Sequence, residues 1–388
     1  MSDMFSRGAA TPEEGEVEVT TATGASKESE PSMGTRGLKQ YRVGLVAPYR
    51  PRKGGVTSQT HLLEEGLRAE GAEVVRVDTI LHSINRPGLR TLRVSLQVIS
   101  VALRLARVGR ACDVLHVQAS SRAGFVPMLV TGPLARLLRR PVVLHFHGGT
   151  GHLWLAQYHR WLLPFFRMAD RTLVVSPQLE SAFRDLGVET EVFWNLVPLE
   201  RFSYRERSGK DPKLVWVRHL EPVCDPMLAL DVHERVCAEF PGAELTLVGD
   251  GTLRPDVERE IAHRGLGGVY LVGAVAPERV PALLDESEIF LNTSRHDGVP
   301  TSILEASAAG LPIVSTAVGG VPSMLVDGES GLLASAGDAD ELAARILDLL
   351  RSPDVCRRLS RGARKNAESY GWDHAASHLE RIYDETVD

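Results

Sequence analysis

The stretch from Ser294 to Gly331, SRHDGVPTSILEASAAGLPIVSTAVGGVPSMLVDGESG, leaves few folds open to the chain. An apolar run, Ile289-Phe290-Leu291-Asn292, leads into it. Pro300, Thr301 and Ser302 then open a short apolar helix that breaks at Gly310-Leu311-Pro312. Ile313, Val314 and Val318 follow as a buried parallel strand with its exit loop, and Gly319-Gly320 as a tight turn. Proline with a hydroxyl pair behind it suits a helix N-terminus. The N–H groups at such an end point outward, and with the positive end of the helix dipole they seat phosphate oxygens. Asp297 stands just before that end and Glu305 eight residues later, so one faces a group beyond the phosphates and the other a hydroxyl behind them. Taken singly, each is also what a solvated turn or a helix surface carries.

The same grammar recurs upstream. Arg42-Val43-Gly44-Leu45-Val46-Ala47 is a strand run, followed by a loop with Lys53-Gly54-Gly55-Val56, helical spacing from Thr57 to Gly71 and a strand from Ala72 to Val77. This is the opening of a doubly wound α/β unit, with Gly54 and Gly55 at the carboxyl end of the first strand, where such sheets bind ligands. Further strands are predicted at Asp113 to Val117, Pro141 to Leu144 and Arg171 to Ser176. Beyond a polar linker, Arg201 to Lys213, come Leu214 to Val217, Glu244 to Val248 and Val269 to Gly273. His145-Phe146-His147-Gly148-Gly149 ends one strand where a side chain can face a cleft and glycines let ligand approach. His147 ranks first because Gly148 follows it and His145 second, while His116 reads as a strand-end residue near an acceptor. Helices are predicted over Ala339 to Arg351 and Trp372 to Tyr383.

A chain of 388 residues suits two or more domains. Its net charge of -6 is unevenly spread: residues 40–200 hold 20 Lys and Arg against 12 Asp and Glu, and residues 201–388 hold 20 against 31. The acidic, two-sided balance argues against nucleic acid as a partner. Four scattered cysteines have no metal spacing and read as reduced thiols of a cytoplasmic chain. Residues 1–38 are polar and small and are expected to be a disordered tail without a cleavable leader. From Arg86 to Arg110, the residues Arg86, Arg90, Arg93, Gln97, Ser100, Arg104 and Arg107 fall within one third of a helical wheel. That stripe predicts either peripheral contact with the inner face of a membrane or an ordinary sheet-packing helix with a basic wet side.

The acidic residue, glycine and proline at Asp297, Gly298 and Pro300, then Leu304-Glu305-Ala306, Gly310-Leu311-Pro312 and Val318-Gly319-Gly320, resemble the signature of the family-four retaining glycosyltransferases of GT-B fold. The resemblance spans about Tyr41 to Tyr383. It implies two Rossmann-like domains facing across a cleft: an acceptor domain at 39–205, a nucleotide-sugar donor domain at 206–370 and a C-terminal helix at 371–388 crossing back. It implies transfer of a sugar from a nucleotide diphosphate sugar to a glycan, lipid-linked or small-molecule acceptor, with no cofactor and no metal. By position, Asp297 and His147 lie against the donor sugar and Glu305 holds the ribose. Gly54, Gly55, Gly249, Gly251, Val272, Gly298, Thr301 and Ser302 line the nucleotide.

The largest departure follows Val217. The family's Gly-Arg-Leu and Lys-Gly stand here as Arg218-His219-Leu220 and Cys224-Asp225. The two cations that neutralise a diphosphate are therefore missing from their places, and Arg218, helped by Arg295, is expected to replace them. The alternatives are a non-catalytic nucleotide-sugar-binding scaffold and another GT-B enzyme, an epimerase or a phosphorylase.

Overall fold

The computed structural model describes residues 37–49, 55–79, 90–148 and 151–388. Residues 1–36 of the expected tail, Gly54, Arg86 and Gly149 lie outside the described residues, whereas Leu38, at its end, is buried in the first domain's core beside Tyr41.

The first half builds a parallel sheet from β1 (Arg42–Ala47), β2 (Glu73–Asp78), β3 (Val114–Ala119), β4 (Val142–Phe146), β5 (Arg171–Val174) and β6 (Glu191–Val192), in the order β2-β1-β3-β4-β5-β6. The second half builds another from β7 (Lys213–Val217), β8 (Glu244–Val248), β9 (Val269–Gly273), β10 (Ile289–Asn292), β11 (Ile313–Thr316) and β12 (Leu332–Ala334), in the order β12-β11-β10-β7-β8-β9. Helices fill the crossovers: α1 (Gly55–Ala69), α2 (Arg90–Val108), α3 (Val126–Leu138), α4 (Gly151–Phe166) and α5 (Pro177–Arg184) in the first domain. The second has α6 (Pro226–Glu239), α7 (Arg254–Arg264), α8 (Val280–Asp285), α9 (Thr301–Ala308), α10 (Val321–Met324), α11 (Ala339–Arg351) and α12 (Pro353–Glu368). Every residue of β3, β4, β10 and β11 is buried, as parallel strands covered on both faces require. The chain is thus an α/β protein of two Rossmann-like, doubly wound domains of GT-B type.

The domains share a continuous apolar core that runs from Phe146 and Phe183 to Val299 and Ile303. Asn195 Nδ2 donates to the Val299 carbonyl at 2.9 Å across the boundary. The last helix, α13 (Trp372–Val387), leaves the second domain and buries Leu379, Ile382 and Tyr383 against Val43, Leu45 and Val143 of the first sheet. Between the domains, Arg207 is fully buried and donates to the carbonyls of Leu284 and Ala309, while Arg205 pairs with Glu288 at 2.7 Å. The polar segment read as a linker is therefore pinned to the second domain by its own arginines.

The arginine-striped helix carries basic and apolar groups together on its described outer side. Arg104 donates to the Asp78 carbonyl at 2.8 Å, whereas Leu96, Ile99 and Leu103 are exposed along α2. The described outer arc of α2 thus mixes these apolar side chains with the exposed Arg107, while Arg104 is half-buried against the sheet edge. Leu137 on α3 and Trp161 on α4 are 78% and 81% exposed. Among the described residues no helix is long and apolar enough to cross a membrane.

Candidate active site

In the second sheet β7 and β10 are neighbours, and the chain leaves them toward opposite edges, β7 to β8 and β10 to β11. The loops that follow such a pair diverge and leave a crevice at the carboxyl ends of the strands. Arg218 follows β7, and Asp297 to Ser302 follow β10. Topology thus brings together Arg218 and Asp297, 79 positions apart, which the signature alone could not pair.

Arg218 Nη2 lies 2.6 Å from Asp297 Oδ2, both side chains largely buried. Burial pushes the Asp297 carboxyl up from its usual range, and Arg218, Ser294 and the Gly298 amide pull it back down. The expected replacement cation is present and already paired with the acid expected to meet the sugar. Arg295, expected to help it, is 66% exposed and donates through Nε to Asp225 Oδ2 at 2.7 Å. Asp225 sits at φ +48 as the N-cap of α6, accepting from the Leu228 amide at 3.4 Å. The left-handed turn survives the departure from Lys-Gly because aspartate tolerates that region and caps the helix that follows.

Helix α9 begins at Thr301 with Pro300 as N-cap and no side-chain cap. Its first amides have no intrahelical acceptor, and the buried Ser302 hydroxyl has no hydrogen-bond partner. Glu305, one turn in, is only partly exposed, and burial pushes its carboxyl up to about 7.

The signature glycines act first on the loops that carry these side chains. A Cβ on Gly319 would stand 1.8 Å from the Asp297 carbonyl oxygen, and one on Gly320 2.1 Å from that of Gly298. Gly249 and Gly251 pack likewise on the carbonyls of Arg218 and Leu220, at 1.8 and 2.4 Å. Val272 lies exposed on β9 at the sheet edge, away from β7 and β10. Gly55 opens α1 with open space where a Cβ would be.

The first domain contributes a neutral network. His147 contacts Asn195 Oδ1 through Nδ1 at 3.2 Å and Gln118 through Nε2. His116 contacts the Tyr383 hydroxyl at 2.8 Å and Gln118 at 3.2 Å, and His145 lies 3.4 Å from Gln118. Burial lowers His147 to about 4 and His116 to about 3, and holds His145 well below its usual value. His116 is fully buried, which corrects its reading as a strand-end residue beside an acceptor: the crossing helix α13 covers it. Gln118, Asn195 and Tyr383 were not singled out from sequence. A glutamine inside the apolar run Val114-Leu115-His116-Val117-Gln118-Ala119 was the signal available. A separate cavity of about 720 Å³, lined by Arg171, Arg184, Glu191 and Arg381 among others, shares no residue with this site.

Residues 53–201 match the glycosyltransferase family 4 description, and residues 200–366 match glycosyl transferases group 1. The chain belongs to the family-four GT-B glycosyltransferases. The sulfoquinovosyl transferase of Arabidopsis thaliana is 24% identical over 69% of this chain and 55% of its own length. A D-inositol 3-phosphate glycosyltransferase of Rhodococcus erythropolis is 29% identical over 48% of this chain and 45% of its own. The matched stretch thus spans about half the length of these curated relatives. The glycogen synthase of Mycobacterium tuberculosis is 27% identical over 76% of this chain and 74% of its own. Sucrose-phosphate synthase from Thermosynechococcus elongatus shares the fold at TM-score 0.71 and 19% identity, over 89% of this chain and 98% of that one. Anabaena HepE, solved with UDP and glucose, shares it at 0.69 and 16%, over 89% and 99%.

Proposed function

We propose that the family-four GT-B chain transfers a sugar, with retention, from a nucleotide diphosphate sugar to a glycan or lipid-linked acceptor. The observation that carries this reading is the meeting of Arg218, Asp297 and the uncapped start of α9 at the switch point of the second sheet. The diphosphate takes the amides of Thr301 and Ser302, the Ser302 hydroxyl and Arg218, which stabilise the charge that develops on the leaving group. Arg218 then exchanges Asp297 for phosphate, and Asp297 turns to the donor sugar. Glu305 accepts from the ribose hydroxyls. His147 orients the sugar from the first domain. The leaving diphosphate takes the acceptor's proton on the same face, so no side-chain nucleophile and no metal are required. HepE's complex with UDP supports trying a uridine nucleotide first.

We also read the α2 to α4 surface as a peripheral membrane contact at the cytoplasmic side. From residue 80 to 169 the sequence holds 12 arginines and one acid, Asp113, and exposes Ile99, Leu137 and Trp161. Anionic headgroups with an apolar layer beneath match that combination.

The test is calorimetric titration with UDP, GDP, ADP and TDP in chelating buffer, repeated on Arg218→Ala. One nucleotide should bind, roughly 10- to 100-fold more weakly in the variant, as loss of one charge-assisted contact implies. Equal affinity in both proteins defeats the role of Arg218. Binding of one nucleotide with no sugar transferred to any glycan or lipid acceptor favours the scaffold.

A further inference from the structure

The polar groups under the cleft form a line: Tyr383, His116, Gln118, His147, Asn195 and the carbonyl of Val299. Their hydrogen positions follow from the far end. Asn195 Nδ2 is 2.9 Å from the Val299 carbonyl oxygen, so the amide nitrogen faces that acceptor and Oδ1 faces His147. His147 Nδ1 must therefore carry a hydrogen. A neutral imidazole then presents a bare lone pair at Nε2, and burial keeps this ring neutral above about pH 4. The structure places Gln118 Oε1 against His147 Nε2 and the amide nitrogen against His116 and His145. A bare Nε2 needs a donor and a buried imidazolium has no carboxylate beside it, so the two ends of this amide exchange places, with its NH2 facing His147 and its oxygen facing His116. That oxygen accepts from His116 Nε2–H, with His145 Nδ1 at 3.4 Å on its second lone pair. His116 Nδ1 is then bare and accepts from the Tyr383 hydroxyl at 2.8 Å. Between the Tyr383 hydroxyl, which gives, and the Val299 carbonyl, which takes, each group gives one hydrogen along the line and takes one, in a single direction.

We infer that this directed chain, with Gln118 as its central positioning residue, fixes His147 as the Nδ1–H tautomer and ties it to the second domain two residues beyond Asp297. Tyr383, His116 and Gln118 are buried almost completely, so an opposed pair of donors or acceptors anywhere along the line has no water to relieve it. Three parts of the fold meet in it: the crossing helix α13, the strands β3 and β4, and the loop that carries Asp297. With both ring nitrogens engaged, His147 does not act as acid or base in this domain arrangement. It meets the sugar through its ring edge and the backbone at Gly148. That last statement rests on the glycosyltransferase reading, whereas the tautomers do not.

The test is long-range proton–nitrogen correlation on the full chain labelled with 15N-histidine, at pH 7.5 and without ligand. His116→Asn and His147→Asn assign the signals. The expected result is Nδ1–H at His147 and Nε2–H at His116. Gln118→Glu offers only acceptors to a neutral lone pair, so His147 should become an imidazolium. Gln118→Leu should leave it a mixture of both tautomers. Tyr383→Phe, which removes only the terminal donor, should release the single tautomer at His116 in a chain that keeps its packing. In a transfer assay with the donor selected by titration, Gln118→Leu should lower kcat at least tenfold and change nucleoside diphosphate Kd less than twofold. Nε2–H at His147 in the unaltered chain, or Nδ1–H at His147 unchanged in both Gln118 variants, overturns the inference. Correct tautomers without any sugar transfer leave the chain standing and defeat the glycosyltransferase reading instead.

Discussion

The two edges of the cleft solve the same problem with opposite means. At the first domain's edge, burial strips charge: His116, His145 and His147 are held neutral and ordered by amides and a phenol. At the second domain's edge, charge is kept in a largely buried place by pairing Arg218 with Asp297, and by aiming a helix start at the same crevice. Glu305 stands between these regimes, a carboxyl on the charged side that burial brings close to neutrality. The contrast teaches a division of labour. Groups proposed to meet a diphosphate carry charge that a ligand can redirect, whereas groups that join one domain to the other are neutral and hydrogen-bonded.

The sharpest way to break this comparison is at Glu305. Glu305→Ala should cost on the order of a hundredfold or more in nucleotide affinity, the loss of two hydrogen bonds to a carboxylate, and should abolish transfer. Titration with the nucleotide that binds checks it. Nearly as large is the effect expected at the charged edge itself. Asp297→Asn frees Arg218, so nucleoside diphosphate should bind several-fold tighter while turnover falls tenfold or more. Weaker binding in this variant would mean that Asp297 holds Arg218 in its productive place rather than competing for it.

Backbone packing is the next test. Gly320→Ala would force a Cβ to within 2.1 Å of the Gly298 carbonyl, and the Asp297 loop has to move. We expect roughly 2 kcal/mol or more of stability lost in denaturant unfolding, with turnover falling more than stability explains.

Smaller effects come from titration. Glu305 folded has a pKa of about 7, above its ordinary value of 4.5, so its protonated form is favoured. Its contribution to stability is full below the unfolded value and is lost as pH rises through about 7. If ribose hydroxyls donate to the carboxylate, nucleotide binding releases a proton at pH 6 and none at pH 8. Binding heats in buffers of different ionisation enthalpy should diverge at the lower pH only, and Glu305→Gln should remove the divergence. The histidines have the opposite sign. Their folded pKa values lie below the ordinary 6.5, so the stability they contribute is present above 6.5 and is lost as pH falls toward about 4. Each unit through that window costs about 1.4 kcal/mol per histidine. Unfolding curves of His116→Asn should show a shallower acid slope than the unaltered chain.

Much of the scaffold was legible because local chemistry dictates it. Apolar runs ending in glycine, a proline-led helix start and the break at Gly310-Leu311-Pro312 each have few conformational answers, and β10, α9 and β11 follow them closely. The helix α12 was not predicted: Ser352-Pro353, right after the helix predicted to end at Arg351, has the look of a stop. Pro353 is an N1 proline that opens the next helix. The arginine stripe on α2 meets a limit of another kind: periodicity orders residues around a helix but does not say which arc meets the sheet.

What the sequence determined by itself was the grammar of two doubly wound units and the grouping of Asp297, Thr301, Ser302 and Glu305 around one helix start. Those residues lie within nine positions, and local backbone geometry relates them. What only the tertiary structure decided was every pairing across long separations: Arg218 with Asp297, Arg295 with Asp225, His116 with Tyr383, and Asn195 with Val299. These depend on strand order and on where a final helix returns. Strand order is set by the burial of whole faces, a property of the assembled sheets that no single stretch of chain contains.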